Sequence, residues 1–233
     1  MKKRKISLLL LCLLLSAVCL LSIAMAWKEY AEGEKDKNAF EALAEMVYLP
    51  GEPAGPVTES ALPESLPSDT TEKKRNLAPL MEQNRECVGW LYIEGTAVDY
   101  PVMHTPGDPQ KYLRRSFDGA YSQSGVPFLD ARCSLDSGKN LIIYGHNMKN
   151  GTMFSDLKKY LDKTFREDHP AIELETENGV RHFTVTVALQ TDISDAWYSR
   201  VESDGSPCLI LSTCYGTAKS GRLLIIAVED NPR

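Results

Sequence analysis

Twenty-two residues without a charge, Ile6 to Trp27, follow directly on Lys2, Lys3, Arg4 and Lys5. A backbone in hydrocarbon has no water to bond, so such a stretch can satisfy its own amides only as a helix. At 1.5 Å per residue it is long enough to cross roughly 30 Å of bilayer core. The basic cluster precedes it, which places the N-terminus in the cytoplasm and the remainder outside. Ala24-Met25-Ala26 resembles a processing site, so a cleaved signal peptide is the competing fate of the same segment. In both cases the bulk of the chain works beyond the membrane, and the expected localisation is a single-pass membrane protein with an extracellular domain.

The formal charge of −6 understates the acidity of that domain, because the basic cluster leaves −10 on the rest of the chain. A nucleic-acid partner calls for a concentrated basic face, and none is present. Of six cysteines, Cys12 and Cys19 lie in the apolar run. The spacings of Cys87, Cys133, Cys208 and Cys214 match no metal-site pattern. No disulfide, metal or cofactor is expected.

Three segments follow from composition. Residues 1–27 form the basic tip and anchor. Residues 28–75 combine a short amphipathic helix over Asn38–Val47 (Phe40, Leu43 and Val47 on one side) with a proline-rich stretch, Pro50–Lys74, that reads as a tether. Residues 76–233 form the folded domain, opening with a helix around Leu77, Leu80 and Met81. From there the pattern is mainly β. Candidate strands are Val88–Ile93, Thr96–Tyr100, Asn140–Tyr144, Ala171–Thr176, His182–Leu189, Cys208–Thr213 and Leu223–Glu229. Turns are legible at Glu94-Gly95, Asn178-Gly179, Asp204-Gly205 and Ser220-Gly221. Helices are expected from Asp108-Pro109 and from Thr152. The fold class this implies is a closed or nearly closed β-barrel with a few peripheral helices.

Three residues stand where strands give way to loops, the places from which rigid scaffolds present reactive groups. Cys214 ends the apolar run Cys208–Thr213, His146 follows the strand ending at Tyr144, and Arg222 opens the last strand. Each alone is unremarkable: a cysteine in an apolar strand is usually a buried hydrophobe, and an arginine at a strand start is usually a solvated charge. Together they meet one chemical need. A thiolate attacks, an imidazole carries the proton, and a guanidinium meets the developing oxyanion.

At this point the chain resembles a known family, the class B sortases. The resemblance runs from about Asn84 to Glu229. Its marks are Val88-Gly89-Trp90-Leu91, Gly95 to Val102, Tyr112-Leu113, Gly125-Val126-Pro127-Phe128-Leu129-Asp130, Tyr144-Gly145-His146-Asn147-Met148, Gly151-Thr152-Met153-Phe154 and Leu211-Ser212-Thr213-Cys214. The resemblance implies an eight-stranded sortase-type barrel on the outer face of a Gram-positive-type membrane. It also implies a transpeptidase that cleaves a C-terminal sorting signal of the LPxTG or NPxTx kind after Thr and transfers the acyl group to an amine of a peptidoglycan precursor or a pilin. Cys214 would be the nucleophile, His146 the acid and base, and Arg222 the oxyanion partner. Leu91, Ser212, Thr213 and Tyr215 are candidate substrate contacts. The segment between the strands that lead up to the cysteine, Gln190–Pro207, is short for a class B member and shows no helical pattern. Trp197 and Tyr198 are its candidates for lining the substrate wall. Two rivals remain: an inactive sortase-like scaffold, and a papain-like peptidase, whose cysteine usually precedes its histidine and starts a helix.

Overall fold

The computed structural model describes residues 2–48, 75–135, 139–201 and 205–230. Eight strands close into one barrel in the order β1-β2-β3-β4-β7-β8-β6-β5. They are β1 (Cys87–Tyr92), β2 (Asp99–Met103), β3 (Phe128–Leu129), β4 (Leu141–Tyr144), β5 (Ala171–Thr176), β6 (Gly179–Asp192), β7 (Cys208–Cys214) and β8 (Gly221–Glu229). β1 pairs antiparallel with β5 and thereby closes the ring. Leu209, Ile210, Leu211, Leu223 to Ala227 and Trp90 are all at most 1% exposed, so both faces of β7 and β8 are covered there. The expected eight-stranded barrel is what the chain forms.

Several boundaries differ from the sequence reading. The strand expected over Thr96–Tyr100 lies at Asp99–Met103 and contains Pro101. Pro101 sits opposite Trp90, while the other neighbour of β2 is reached only through the pair Met103↔Phe128. At Pro101 the strand therefore behaves as an edge, where a missing N–H costs no ladder bond. The helix expected from Asp108-Pro109 forms only a 3-10 turn, Lys111–Leu113. Its Tyr112 carbonyl is taken by the amide of Val126 at 3.1 Å instead of a helical partner. The helix expected from Thr152 is a 3-10 segment, Ser155–Leu161. The short helix near Leu80 is present as α2 (Ala78–Gln83), and α3 (Lys163–Asp168) was not legible.

The N-terminal helix α1 runs from Lys2 to Val47, so the segment expected to be an anchor and the expected helix over Asn38–Val47 are one continuous element. Its first half exposes Leu13, Leu20 and Ile23 and is long and apolar enough to cross a membrane. Its second half docks on the barrel. Phe40 packs edge-on against Tyr100 at 5.0 Å, and Leu43 and Val47 join the core. Asp36 accepts a hydrogen bond from Ser122 Oγ at 2.7 Å, and the Tyr48 hydroxyl donates to Asp99 at 2.7 Å. The expected tether, Pro50–Lys74, lies outside the described residues. Its flanks, Tyr48 and Arg75, form a bridge with each other. Arg75 is itself held by Glu173 at 3.1 Å and Glu175 at 3.2 Å.

The docked half of α1 yields a first prediction. Phe40 is 8% exposed, and truncating a buried Phe costs about 3–5 kcal/mol. Phe40→Ala should lower the urea stability of the detergent-solubilised chain by about 3 kcal/mol. A loss below about 1 kcal/mol would mean that the helix does not add to the barrel core.

Candidate active site

Strand register brings the expected residues together. β4 and β7 run parallel with Tyr144 opposite Ser212. His146 lies two residues beyond Tyr144 and Cys214 two beyond Ser212, so both leave the barrel at the same end and the same height. β7 and β8 form an antiparallel hairpin in which Cys214 is the direct partner of Arg222. All three line one cleft of about 490 Å³.

The loop that presents His146 is fixed on both sides. The Gly145 amide donates to the Ser212 carbonyl at 3.1 Å, and Thr213 Oγ1 donates to the Gly145 carbonyl at 2.8 Å. Glycine is required at 145, because a Cβ there would lie 2.6 Å from the Phe154 ring. The Phe154 amide donates to the His146 carbonyl at 2.8 Å. Asn147 Nδ2 donates to the Cys214 carbonyl at 3.0 Å, tying the histidine loop to the cysteine strand. Met153 closes this loop in the left-handed region at φ 56°, with its amide bonded to the Tyr100 hydroxyl. Such a conformation is unfavourable for a non-glycine residue and persists only where its surroundings fix it.

The histidine tautomer follows from its partner. Nε2 lies 2.8 Å from the Leu113 carbonyl, which can only accept, so Nε2 carries the proton and Nδ1 the lone pair. Burial is the main force lowering the His146 pKa below its ordinary 6.5; the Leu113 carbonyl opposes it, and the charge of Arg114 adds to it. The resting imidazole is therefore mostly neutral at pH 7.

Cys214 differs from the other domain cysteines in its surroundings. Its side chain is exposed, whereas Cys87 and Cys133 are buried with thiols pushed up to about 11 by desolvation. Arg222 donates from Nη1 to the Lys219 carbonyl at 3.0 Å and the Gly221 carbonyl at 2.8 Å. Both bonds use one nitrogen, which leaves the Nε–Nη2 edge for a ligand.

The expected substrate contacts divide. Ser212, Thr213 and Tyr198 line the cleft, and the Tyr198 hydroxyl sits 2.7 Å from Ser212 Oγ. Leu91 is fully buried in β1 and does not face the cleft. Trp197 stacks under Arg200 at 4.3 Å and Tyr215 bonds across its hairpin to Gly221; neither lines the cleft. Among its described residues, the segment Gln190–Pro207 holds a 3-10 turn, Ala196–Ser199, where no helix was expected.

A second group of cleft residues was not singled out from sequence. Arg132 grips the Asp130 carboxylate with two bonds of 2.8 Å, and the Tyr144 hydroxyl donates to it at 2.7 Å. Burial pushes the Asp130 carboxyl up, but these donors outweigh it and hold the pKa at about 2. Arg132 also donates to the Tyr198 carbonyl at 2.8 Å, and the Tyr144 and Tyr198 rings stack at 6.3 Å. Together with the Ser212 contact, this pins the short 190–207 segment against the barrel and gives the cleft a rigid aromatic wall.

This arrangement can be set beside known proteins. The sortase domain family matches residues 91–230. Sortase B of Listeria monocytogenes is 38% identical over 133 residues, covering 56% of this chain and 53% of that protein. The chain spans about half the length of the curated relatives it matches. Among solved structures, Clostridium perfringens sortase B is 25% identical with a TM-score of 0.59, covering 67% of this chain and 100% of that one. The Staphylococcus aureus sortase B–substrate complex is 26% identical with a TM-score of 0.58, covering 66% and 83%.

Proposed function

The chain belongs to the sortase family, and we propose that it is a membrane-anchored cysteine transpeptidase acting on proteins with a C-terminal sorting signal. The observation that carries this reading is the meeting of Cys214, His146 and Arg222 in one cleft. In the first half-reaction neutral His146 takes the proton of the Cys214 thiol, and the thiolate so formed attacks the carbonyl of the signal's Thr. The Nε–Nη2 edge of Arg222 takes the oxyanion. The imidazolium of His146 gives its proton to the departing amine as the C–N bond breaks, leaving a thioacyl enzyme. In the second, an amine from a wall precursor or pilin attacks the thioester, neutral His146 takes its proton, and Cys214 leaves.

The uncharged run Ile6 to Trp27 of α1 supplies the anchor in this reading, with the barrel outside. Sorting signals of the LPxTG or NPxTx kind would lie along Tyr198, Ser212 and Thr213. The test is to incubate the full chain in detergent with peptides of both kinds and a primary amine, and to weigh the intact protein. A mass increase on Cys214 equal to the acyl half, followed by its release to the amine, is the expected result. Peptide binding with no adduct under any signal would refute turnover.

Arg222 carries its own prediction. Lysine keeps the charge but cannot hold two carbonyls and still offer a planar edge. Arg222→Lys should lower kcat/KM for thioacyl formation about 100-fold. A rate within about threefold of the parent would leave Arg222 as a hairpin staple only.

A further inference from the structure

A second cavity, of about 600 Å³, lies behind the catalytic loop, between that loop and α1. Its α1 wall includes Glu29, Tyr30 and Glu34; across from them stand Arg114, Asn147 and Lys149. Among the described residues, His146 is the one that lines both this cavity and the Cys214 cleft. Asn147, also on its wall, donates to the Cys214 carbonyl at 3.0 Å.

The order of the chemistry says what such a cavity is for. After the first half-reaction the acyl group stays on Cys214 and fills the cleft. The second substrate must then reach the thioester without crossing the first, and must still meet the base that takes its proton. The cavity lies apart from the cleft that the acyl group fills and shares His146 with it, which is what both conditions call for. Glu29 and Glu34 are exposed on α1 and, among the described residues, make no ion pair. Arg114 and Lys149 on the opposite wall balance their charge, so the cavity suits a peptide that carries an ammonium for the α1 side and carbonyl oxygens for the two cations.

We propose that this cavity is the entry and binding site of the acceptor, a peptide-borne primary amine, with Glu29 and Glu34 drawing the ammonium toward His146. The proposal rests on the transpeptidase reading above. The ammonium loses one proton to solvent, and its nitrogen attacks the thioester carbonyl. A second proton passes from that nitrogen to His146, the C–S bond breaks, Cys214 departs as thiolate and an amide forms.

The test separates the two half-reactions. The full chain in detergent is acylated with whichever sorting-signal peptide it accepts, and the thioacyl enzyme is partitioned between water and either triglycine amide or Nα-acetyl-lysine amide. Glu29→Trp and Glu34→Trp fill the cavity from exposed helical positions. Each should lower the aminolysis-to-hydrolysis ratio about tenfold, while thioacyl formation, which precedes the amine, proceeds. Glu29→Gln combined with Glu34→Gln keeps the shape and should raise the KM for the amine several-fold, and Lys28→Trp, elsewhere on the same helix, should not. A larger loss with triglycine amide assigns the site to an α-amine; a larger loss with the lysine derivative assigns it to an ε-amine. A ratio unchanged within about twofold for both amines in all three glutamate variants overturns the acceptor site while leaving the transpeptidase reading intact. Failure of the unmutated chain to form any thioacyl enzyme sinks that reading, and this site with it.

Discussion

Cys214→Ala should reduce sorting-signal cleavage and transfer at least about 10⁴-fold, to the level of background hydrolysis. The residue is the exposed thiol at the end of β7, paired directly with Arg222 and within the cleft that His146 lines. Removing the sulfur removes the covalent route itself, and the remaining cleft can only bind. Cys208→Ala is the matched control, because Cys208 begins the same strand. Six residue steps at about 3.3 Å each place it roughly 20 Å away. Its loss should leave transfer within about twofold. Cys87 and Cys133 offer a second control. Burial suppresses their thiolates, so alkylation of the folded domain should label Cys214 and spare both. The measurement is steady-state transfer together with intact mass after peptide addition. Equal loss in the Cys214 and Cys208 variants, both folded, would remove Cys214 from the nucleophile's place.

How far the sequence reached depended on how regular the backbone is. β5 and β7 were legible almost to the residue, since uninterrupted apolar or alternating runs end there at turn residues. β3 has two residues, too few to carry any period, yet it joins β2 to β4. β6 extends to Asp192, beyond the expected end at Leu189, because the start of β8 supplies partners for Thr191 and Asp192. A shift in its register between Val185 and Val187 also breaks the alternation on which a strand is recognised. The same division holds at the site. Cys214, His146 and Arg222 were readable because each stands at a strand end, and strand pairing alone sets their neighbourhood. Leu113, Asp130 and Arg132 come from the irregular 104–135 stretch. Only tertiary contacts decide that a carbonyl of one meets the imidazole, or that the other two clamp Tyr198. The continuity of α1 was hidden for a different reason. The charged segment after Trp27 reads as a break in apolar character, but its backbone continues as helix and its later apolar face finds the barrel.

His146→Gln tests the proton carrier apart from its structural role. The glutamine amide can still donate to the Leu113 carbonyl that His146 Nε2 now contacts, so the loop should keep its place and the folded stability should change little. What is lost is a group that can both give and take a proton, a contribution of 10²–10⁴ in rate. We expect thioacyl formation and its breakdown each to fall about 1,000-fold. The pH dependence supplies an independent check. Burial, reinforced by Arg114 against the pull of Leu113, sets the His146 pKa below 6.5. The neutral base needed to break down the thioacyl enzyme is thus retained through pH 7 and is lost only as pH falls through that lower value. Hydrolysis of preformed thioacyl enzyme, in which water is the nucleophile, should decline on an acid limb whose midpoint lies under 6.5. An NMR titration of the imidazole should give the same midpoint, and the limb should vanish in His146→Gln. A midpoint above 6.5, or a limb that persists in the variant, would show that another group carries the proton.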